Sequence, residues 1–350
     1  MRNNEKRRAR QSGKPTMSDV AIAAKVSAIT VSRVLRMPNA VSPVLRERVE
    51  RAIREIGYVP NSAAQALASA SSDVIGVIIP SVANAVYSDV LRGVYEAVEN
   101  TRFQIQLGNS NYSYFQEENL LRVFLGQRPA ALLVTGFGQS RESMKLLQSM
   151  NCPIVQIMEL GPDPIDMLVG FSHEDACEAA IRNLIDRSYR RIGFLVGQMD
   201  RRAQIRLRSY ERVMRAAGLF DERLIVTTTK ATTVTLGGEL CAELLARAPD
   251  ADALQANNDD IAVGALFECQ RRRMRIPEDF GISGFNDLEI AAAAHPRITS
   301  VKTYRYEMGR RAVQMLMDAV AGKRPEQQIV NLGFKLVERE STMRPPARPA

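Results

Sequence analysis

No apolar run in this 350-residue chain approaches membrane-spanning length, so no transmembrane helix is predicted. The opening stretch, "MRNNEKRRARQSGKP", lacks the apolar core of a secretory signal, and a cytoplasmic location is expected. The four cysteines (Cys152, Cys177, Cys241 and Cys269) are far apart, without a CxxC or a nearby histidine pair. That argues against a structural metal and fits free thiols in a reducing compartment. Catalytic signatures are missing as well: there is no GxGxxG after a strand, no Walker loop, no GxSxG elbow and no HExxH. Only His173 and His295 can act as bases near neutral pH. His173 follows Ser172, which with Asp175 reads as a helix capping box, and His295 precedes Pro296 in a turn, so both are read as structural. No catalytic residue, cofactor or metal site is expected.

Charge is present but unevenly spread. Residues 1–72 carry 13 Lys+Arg against 5 Asp+Glu, whereas residues 73–350 carry 34 of each. The whole formal excess of +8 therefore sits in the first fifth of the chain. A solvated tail needs no partner, but an excess coinciding with a groove-binding motif is the footprint of a nucleic-acid contact.

Such a motif is there. In "DVAIAAKVSAITVSRVL" (19–35), Val20, Ala23 and Ala24 mark one helix face, and Val31, Val34 and Leu35 mark a second after a three-residue break. Thr16 with Asp19 forms a capping-box pattern for the first helix, and Ser27 is placed to cap the second. Two short helices joined by a tight turn commonly set the second into a DNA groove. A third helix is predicted from Ser42-Pro43, with Val44, Leu45, Val49, Ala52, Ile53 and Ile56 as its apolar face and Gly57 as its stop. After "YVPN", the segment "SAAQALASA" (62–70) is helical in composition but too short and weakly apolar to fold alone.

From Asp73 the pattern becomes alternating strand and helix. Strands are predicted at 74–80, 103–109, 130–136, 153–158, 191–197, 224–228, 253–258, 280–286 and 298–302, with helices such as 87–100, 202–217, 259–273 and 304–321 between them. This is α/β architecture with parallel sheets, and so many strands predict two sheets in two lobes with a cleft between. Ligands of open α/β sheets bind beyond the carboxyl ends of the strands. The expected organisation is a basic tail (1–15), a helix-turn-helix domain (16–60), a hinge helix and linker (61–72), a two-lobed effector-binding and dimerisation domain (73–343) and a short tail (344–350).

The segments "DVAIAAKVSAITVSRVL", "GYVPN", "AAQALAS", "PSVANAVYSDVLRGV", "YRRIGFLVG", "NDDIAVGAL", "RIPEDFGISGFND", "PRITSVK" and "RESTM" resemble, in order, the LacI/GalR family of bacterial repressors across nearly the whole chain. Within it, "IMELGPDPIDMLVGFSHEDA", "NDDIAVGALFECQR" and "NLGFKLVEREST" are most similar to the gluconate-operon branch. The resemblance implies a helix-turn-helix headpiece on a periplasmic-binding-protein-like core of parallel sheets flanked by helices. It also implies a homodimer on a pseudo-palindromic operator in double-stranded DNA, under the control of a small molecule. Ser27, Ala28, Ile29, Ser32 and Arg33 would lie on the recognition helix. Ala28 and Ile29 offer only apolar contacts, for instance to thymine methyls. Thr16 and Ser42 would meet phosphates at helix starts. Asn61 would also contact DNA, and Leu67 matches the leucine that paired hinge helices wedge into the minor groove.

In the cleft the resemblance implies Tyr87, Glu159, Arg206, Asn258 and Asn286 as effector contacts. Ser209 stands where glycine is usual, Asn286 where many members carry aspartate, and Val86 where a second aromatic is common. Lys25 replaces a glycine at the helix-turn-helix turn, which predicts a lysine at positive φ. Asp259 reads as a cap for the helix that follows it. Arg201, Arg202, Arg206 and Arg208 crowd one helix start and form either a solvated face or, with two turned inward, a clamp for an anion. A sugar acid such as gluconate or 6-phosphogluconate would suit that clamp; a neutral sugar or other metabolite is the alternative. A solute-binding receptor of the same fold conflicts with the basic headpiece. The C-terminal "MRPPARPA" has no heptad pattern for a coiled-coil tetramer.

Overall fold

A computed structural model describes residues 15–37, 40–59 and 72–344, and divides the chain into two compact units, residues 1–72 and 73–350. Asn61 and Leu67 lie outside the described residues.

Among its described residues the first unit holds three helices: α1 (Met17–Ala23), α2 (Ala28–Arg36) and α3 (Pro43–Ile56). The Thr16 side chain accepts from the Asp19 amide, and Asp19 accepts in return from the Thr16 amide at 2.8 Å, completing the capping box. Lys25 takes the turn between α1 and α2 at φ 51°, a conformation that costs a lysine roughly 1 kcal/mol. Ser27 then caps α2 by accepting from Thr30 N at 3.1 Å. Ser42 holds the cap position of α3 without a side-chain cap bond, and Gly57 closes that helix in the left-handed region. Val20, Val31 and Val49, one from each helix, are fully buried in a shared core with Ala21, Ala24, Val34, Ala52 and Tyr58.

The second unit has two six-stranded sheets. The first contains β1 (Val74–Ile79), β2 (Gln104–Asn109), β3 (Ala131–Thr135), β4 (Ile154–Ile157), β5 (Met167–Gly170) and β11 (Ile329–Asn331) in the order β11-β5-β4-β3-β1-β2. The second contains β6 (Ile192–Val196), β7 (Ile225–Thr227), β8 (Ala253–Ala256), β9 (Gly281–Asn286), β10 (Thr299–Thr303) and β12 (Phe334–Val337) in the order β12-β10-β9-β8-β6-β7. Every pairing is parallel except β12 against β10. The central strands are apolar and buried on both faces, as parallel strands covered by helices must be.

Three short connections carry the chain from one sheet to the other: residues 171–172, the segment before Arg305, and residues 332–333. The helices α4 (Val86–Val98), α5 (Tyr114–Gln127), α6 (Arg141–Gln148) and α12 (Arg305–Val320) pack with the first sheet; α7 (His173–Asp186), α8 (Arg201–Ala216), α9 (Val234–Arg247), α10 (Asp259–Arg271) and the short α11 (Glu289–Ala293) belong to the second. Although it follows β10 in the chain, α12 crosses back to lie on α4. Their contact needs glycine on both sides: a Cβ on Gly93 would stand 2.1 Å from the Tyr306 carbonyl oxygen, and one on Gly309 2.1 Å from that of Val90. The three strands that sequence patterning did not register, β5, β11 and β12, are three or four residues long, and β11 and β12 are only partly buried. Their pairing partners, for β11 more than 150 residues away, supply what composition does not.

Candidate functional site

On the first unit, α2 presents Ala28, Ile29 and Arg33 to solvent, with Ser32 half-buried. Ile29 is 73 % exposed, an unusual position for a large aliphatic side chain. The Ser42 hydroxyl makes no cap bond and stands at a helix start. Thr16 differs: its hydroxyl and amide are both engaged by Asp19, whose carboxyl is held below its ordinary value by those bonds.

The second unit has a cleft between its lobes, at the carboxyl ends of the parallel strands. A cavity opens there, lined from the first lobe by Asn84, Val86, Tyr87, Tyr112 and Met158 and from the second by His173, Gln198, Asp200, Arg202, Arg206, Thr232, Asn257, Asn258 and Asn286. Most of these residues sit in loops just after a strand or in the first turns of a helix, which is where this architecture places ligand contacts.

The cavity is polar and carries two guanidinium groups. Asp200 caps α8 through Ala203 N at 2.8 Å, and it also pairs with Arg202 Nη2 at 2.8 Å. Burial pushes the Asp200 carboxyl up, but Arg202 and Arg206 outweigh it and leave its pKa below the ordinary value. Arg206 is the exception to this pairing. It is 8 % exposed, its Nη1 donates to His173 Nδ1 at 2.9 Å, and its guanidinium lies 4.7 Å from the centre of the Phe285 ring. Among the described residues no carboxylate is within ion-pair distance of Arg206, and its buried Nε has no hydrogen-bond partner. Burial lowers its pKa, the mark of a cation whose charge is not fully compensated. The Tyr87 hydroxyl is buried beside Arg202 and Tyr112, and burial raises its pKa.

The asparagines divide their roles. Asn257 ties β8 to β6, accepting from Gly197 N at 3.3 Å and donating to Gly197 O at 3.0 Å. Asn258 caps α10 through Ile261 N at 3.1 Å, and Asn286 reaches the cavity from a backbone at φ 103°. Asp259, read from the sequence as that cap, is instead fully buried and accepts from Leu288 N at 2.7 Å and Ser300 Oγ at 2.6 Å. Burial pushes its carboxyl up to about 7.

Of the expected effector contacts, Tyr87, Arg206, Asn258 and Asn286 line the cavity. Glu159 does not; it is buried at the end of β4 and pairs across the lobes with Arg201 Nε at 2.8 Å, walling a wider groove beside the cavity. Of the four crowded arginines, Arg202 and Arg206 turn inward, while Arg208 is exposed. Ser209 donates to the Glu174 carbonyl at 2.9 Å and joins α8 to α7. Sequence reasoning passed over His173, Asp200, Tyr112 and Thr232. His173 alone left a signal, as one of two histidines in the chain, but its helix-start position masked it.

Residues 16–61 match the lacI family of bacterial regulatory proteins, and residues 181–342 match the periplasmic binding protein-like domain. The HTH-type transcriptional regulator GntR of Pseudomonas aeruginosa is 38% identical over 95% of this chain and 97% of its own length. A crystal structure of a LacI-family transcriptional regulator from Silicibacter pomeroyi superposes with a TM-score of 0.88 at 32% identity, covering 94% of this chain and all of that one. The structure of transcription regulator GntR from Chromobacterium violaceum gives a TM-score of 0.75 at 37% identity, covering 77% of this chain and 99% of that one. Among the described residues no helix is long and apolar enough to cross a membrane. With its headpiece, its two lobes and these relatives, the chain belongs to the lacI family of bacterial regulatory proteins and is a DNA-binding transcriptional repressor, not an enzyme.

Proposed function

We propose that this repressor is controlled by a sugar acid held between its lobes, gluconate being the preferred candidate over 6-phosphogluconate and over a neutral sugar. One observation carries the reading: two guanidinium groups face one cavity and, among the described residues, only one carboxylate, Asp200, answers them. A ligand bearing a single carboxylate neutralises the remaining charge and gives Arg206 the bidentate partner it lacks. A phosphorylated acid brings more negative charge than the cavity answers, and a neutral sugar leaves Arg206 uncompensated. The polar wall, including Tyr87, Asn258, Asn286 and Thr232, suits the hydroxyls of a polyol chain. Glu159 then acts by bracing the closed lobes through Arg201, at the rim of the ligand space.

On the DNA side, Ser27, Ala28, Ile29, Ser32 and Arg33 are the proposed base-reading and adjacent backbone contacts, with Ser42 and the Thr16 helix start on phosphates. Asn61 and Leu67 serve the hinge. A homodimer would place two such headpieces on a pseudo-palindrome. The effector shifts DNA binding by its differential affinity for two lobe arrangements. Calorimetry against gluconate, 6-phosphogluconate, glucose and a nucleoside, followed by operator gel shifts with each binder, tests this. Gluconate is expected to bind and to change operator affinity; tighter binding of a neutral ligand refutes the proposal.

A further inference from the structure

The imidazole of His173 sits between the two lobes with its protonation state dictated by its neighbours. Nε2 lies 2.8 Å from the Met158 carbonyl oxygen, and Nδ1 lies 2.9 Å from Arg206 Nη1. A carbonyl only accepts and a guanidinium only donates, so Nε2 carries the hydrogen and Nδ1 is bare. Met158 belongs to the first lobe, just after β4, and Arg206 to α8 of the second. The ring is 4 % exposed, 4.3 Å from Phe171 at the lobe crossing and 5.9 Å from Phe285, centre to centre. Met158 itself is held at φ 82°, a left-handed conformation that a methionine adopts only when its surroundings enforce it. That residue's carbonyl is the one His173 holds.

We propose that His173 is the positioning residue of the ligand cleft: its neutral imidazole aims the Arg206 guanidinium into the cavity and links it to the backbone of the opposite lobe. This rests on the proposed effector site, and it adds how grip on a ligand is joined to lobe closure. A ligand that engages Arg206 pulls on a chain of two hydrogen bonds ending in the first lobe, so the grip is complete only when the lobes are together. A protonated imidazole breaks the chain, because it sets an N–H against the Arg206 N–H. The charged groups facing the ring are Arg206 and Arg202 of α8 and Asp200 at its cap; Glu174 on its own helix pairs with Arg212, and Glu159, next to Met158, pairs with Arg201. Burial, then Arg206 and Arg202, lower the pKa of His173 well below the ordinary histidine value, in keeping with the geometry.

The test uses full-length protein labelled with 15N-histidine and free of ligand. The chain has two histidines, and His295→Gln assigns the pair. Expected is an Nε2–H tautomer for His173 that stays neutral through the ordinary histidine titration range. An Nδ1–H tautomer, or an imidazolium near pH 6.5, overturns the proposal. In a second arm, gluconate affinity is measured for two variants. His173→Phe keeps the ring stack and removes both hydrogen bonds, and should weaken binding about 10-fold. His173→Asn offers Oδ1 in place of Nδ1 and should recover most of that loss. Wild-type affinity in His173→Phe, or no recovery in a folded His173→Asn, overturns the positioning role. If the wild type binds no sugar acid, the effector reading fails, and the imidazole spectrum still decides whether the relay exists.

Discussion

Replacing Arg206 by methionine separates ligand recognition from folding. The guanidinium is 8 % exposed and has one hydrogen bond, to His173 Nδ1, and one ring contact, with Phe285. It has no ion-pair partner among the described residues, so its charge is a burden on the ligand-free protein. Methionine keeps much of the volume and packs on the Phe285 ring through its sulfur, while His173 Nδ1 loses its donor at a cost of about 1–3 kcal/mol. That loss and the relief of the buried charge oppose each other, so folding stability should stay within about 1 kcal/mol of wild type. Ligand binding has no such compensation. Loss of a charge-assisted contact costs roughly 1.5–3 kcal/mol, or about 10- to 100-fold in gluconate affinity. Calorimetry gives the affinity, urea denaturation the stability, and an operator gel shift with and without gluconate the regulatory consequence. The effector concentration that alters operator binding should rise by the same factor, with operator affinity unchanged in its absence. A variant that responds at wild-type gluconate concentrations, or one destabilised by much more than about 1 kcal/mol, refutes the assignment of Arg206 as an uncompensated ligand anchor.

Other outcomes follow from the same observations. With roughly six phosphates neutralised by a dimer, operator affinity should drop on the order of 10³-fold between 50 and 200 mM salt; a flat titration would remove the role of the basic first unit. Ile29→Ser, at an exposed position, should change stability by less than about 0.5 kcal/mol yet weaken operator binding by about 1–3 kcal/mol, whereas Val31→Ala, fully buried, should destabilise the first unit and lose DNA binding through unfolding. Leu67→Ser should abolish operator bending, read by permuted-site gel shifts, while leaving gluconate binding intact. Asp259 has a folded-state pKa of about 7, raised by burial above its unfolded value, so the folded state binds the extra proton between about pH 4 and 7 and stability falls as pH rises through that window. Asp259→Asn should flatten that part of the stability profile, and an unchanged slope would show that another group titrates there.

The elements legible in the chain were those whose causes lie within a few residues. Thr16 meets Asp19 one helical turn away, Ser27 meets Thr30, and Gly57 supplies the left-handed stop of α3. Lys25 has to turn at positive φ because a helix ends and another begins around it. Continuous apolar runs such as "VIGVII" need both faces covered, which makes two parallel sheets, two lobes and a cleft legible in the chain itself. The charge asymmetry was equally local and pointed to the DNA side.

The chemistry of the cleft depended on distant partners. Asn258 and Asp259 are neighbours with similar side chains, yet one caps α10 and lines the cavity while the other is buried against Leu288 and Ser300, 29 and 41 residues away. Four arginines share one helix start, and only packing against the lobes decided that Arg202 and Arg206 turn inward while Arg201 pairs with Glu159. His173 satisfied every local rule for a helix start; its link to Arg206 spans 33 residues and its link to Met158 joins opposite lobes. By itself the sequence determined the helices, the apolar strands and the basic headpiece, because hydrogen bonds within a turn and the burial of apolar runs are short-range causes. Tertiary structure alone decided which charges are compensated and which are left open to a ligand, because that balance is struck between groups brought together only by the fold.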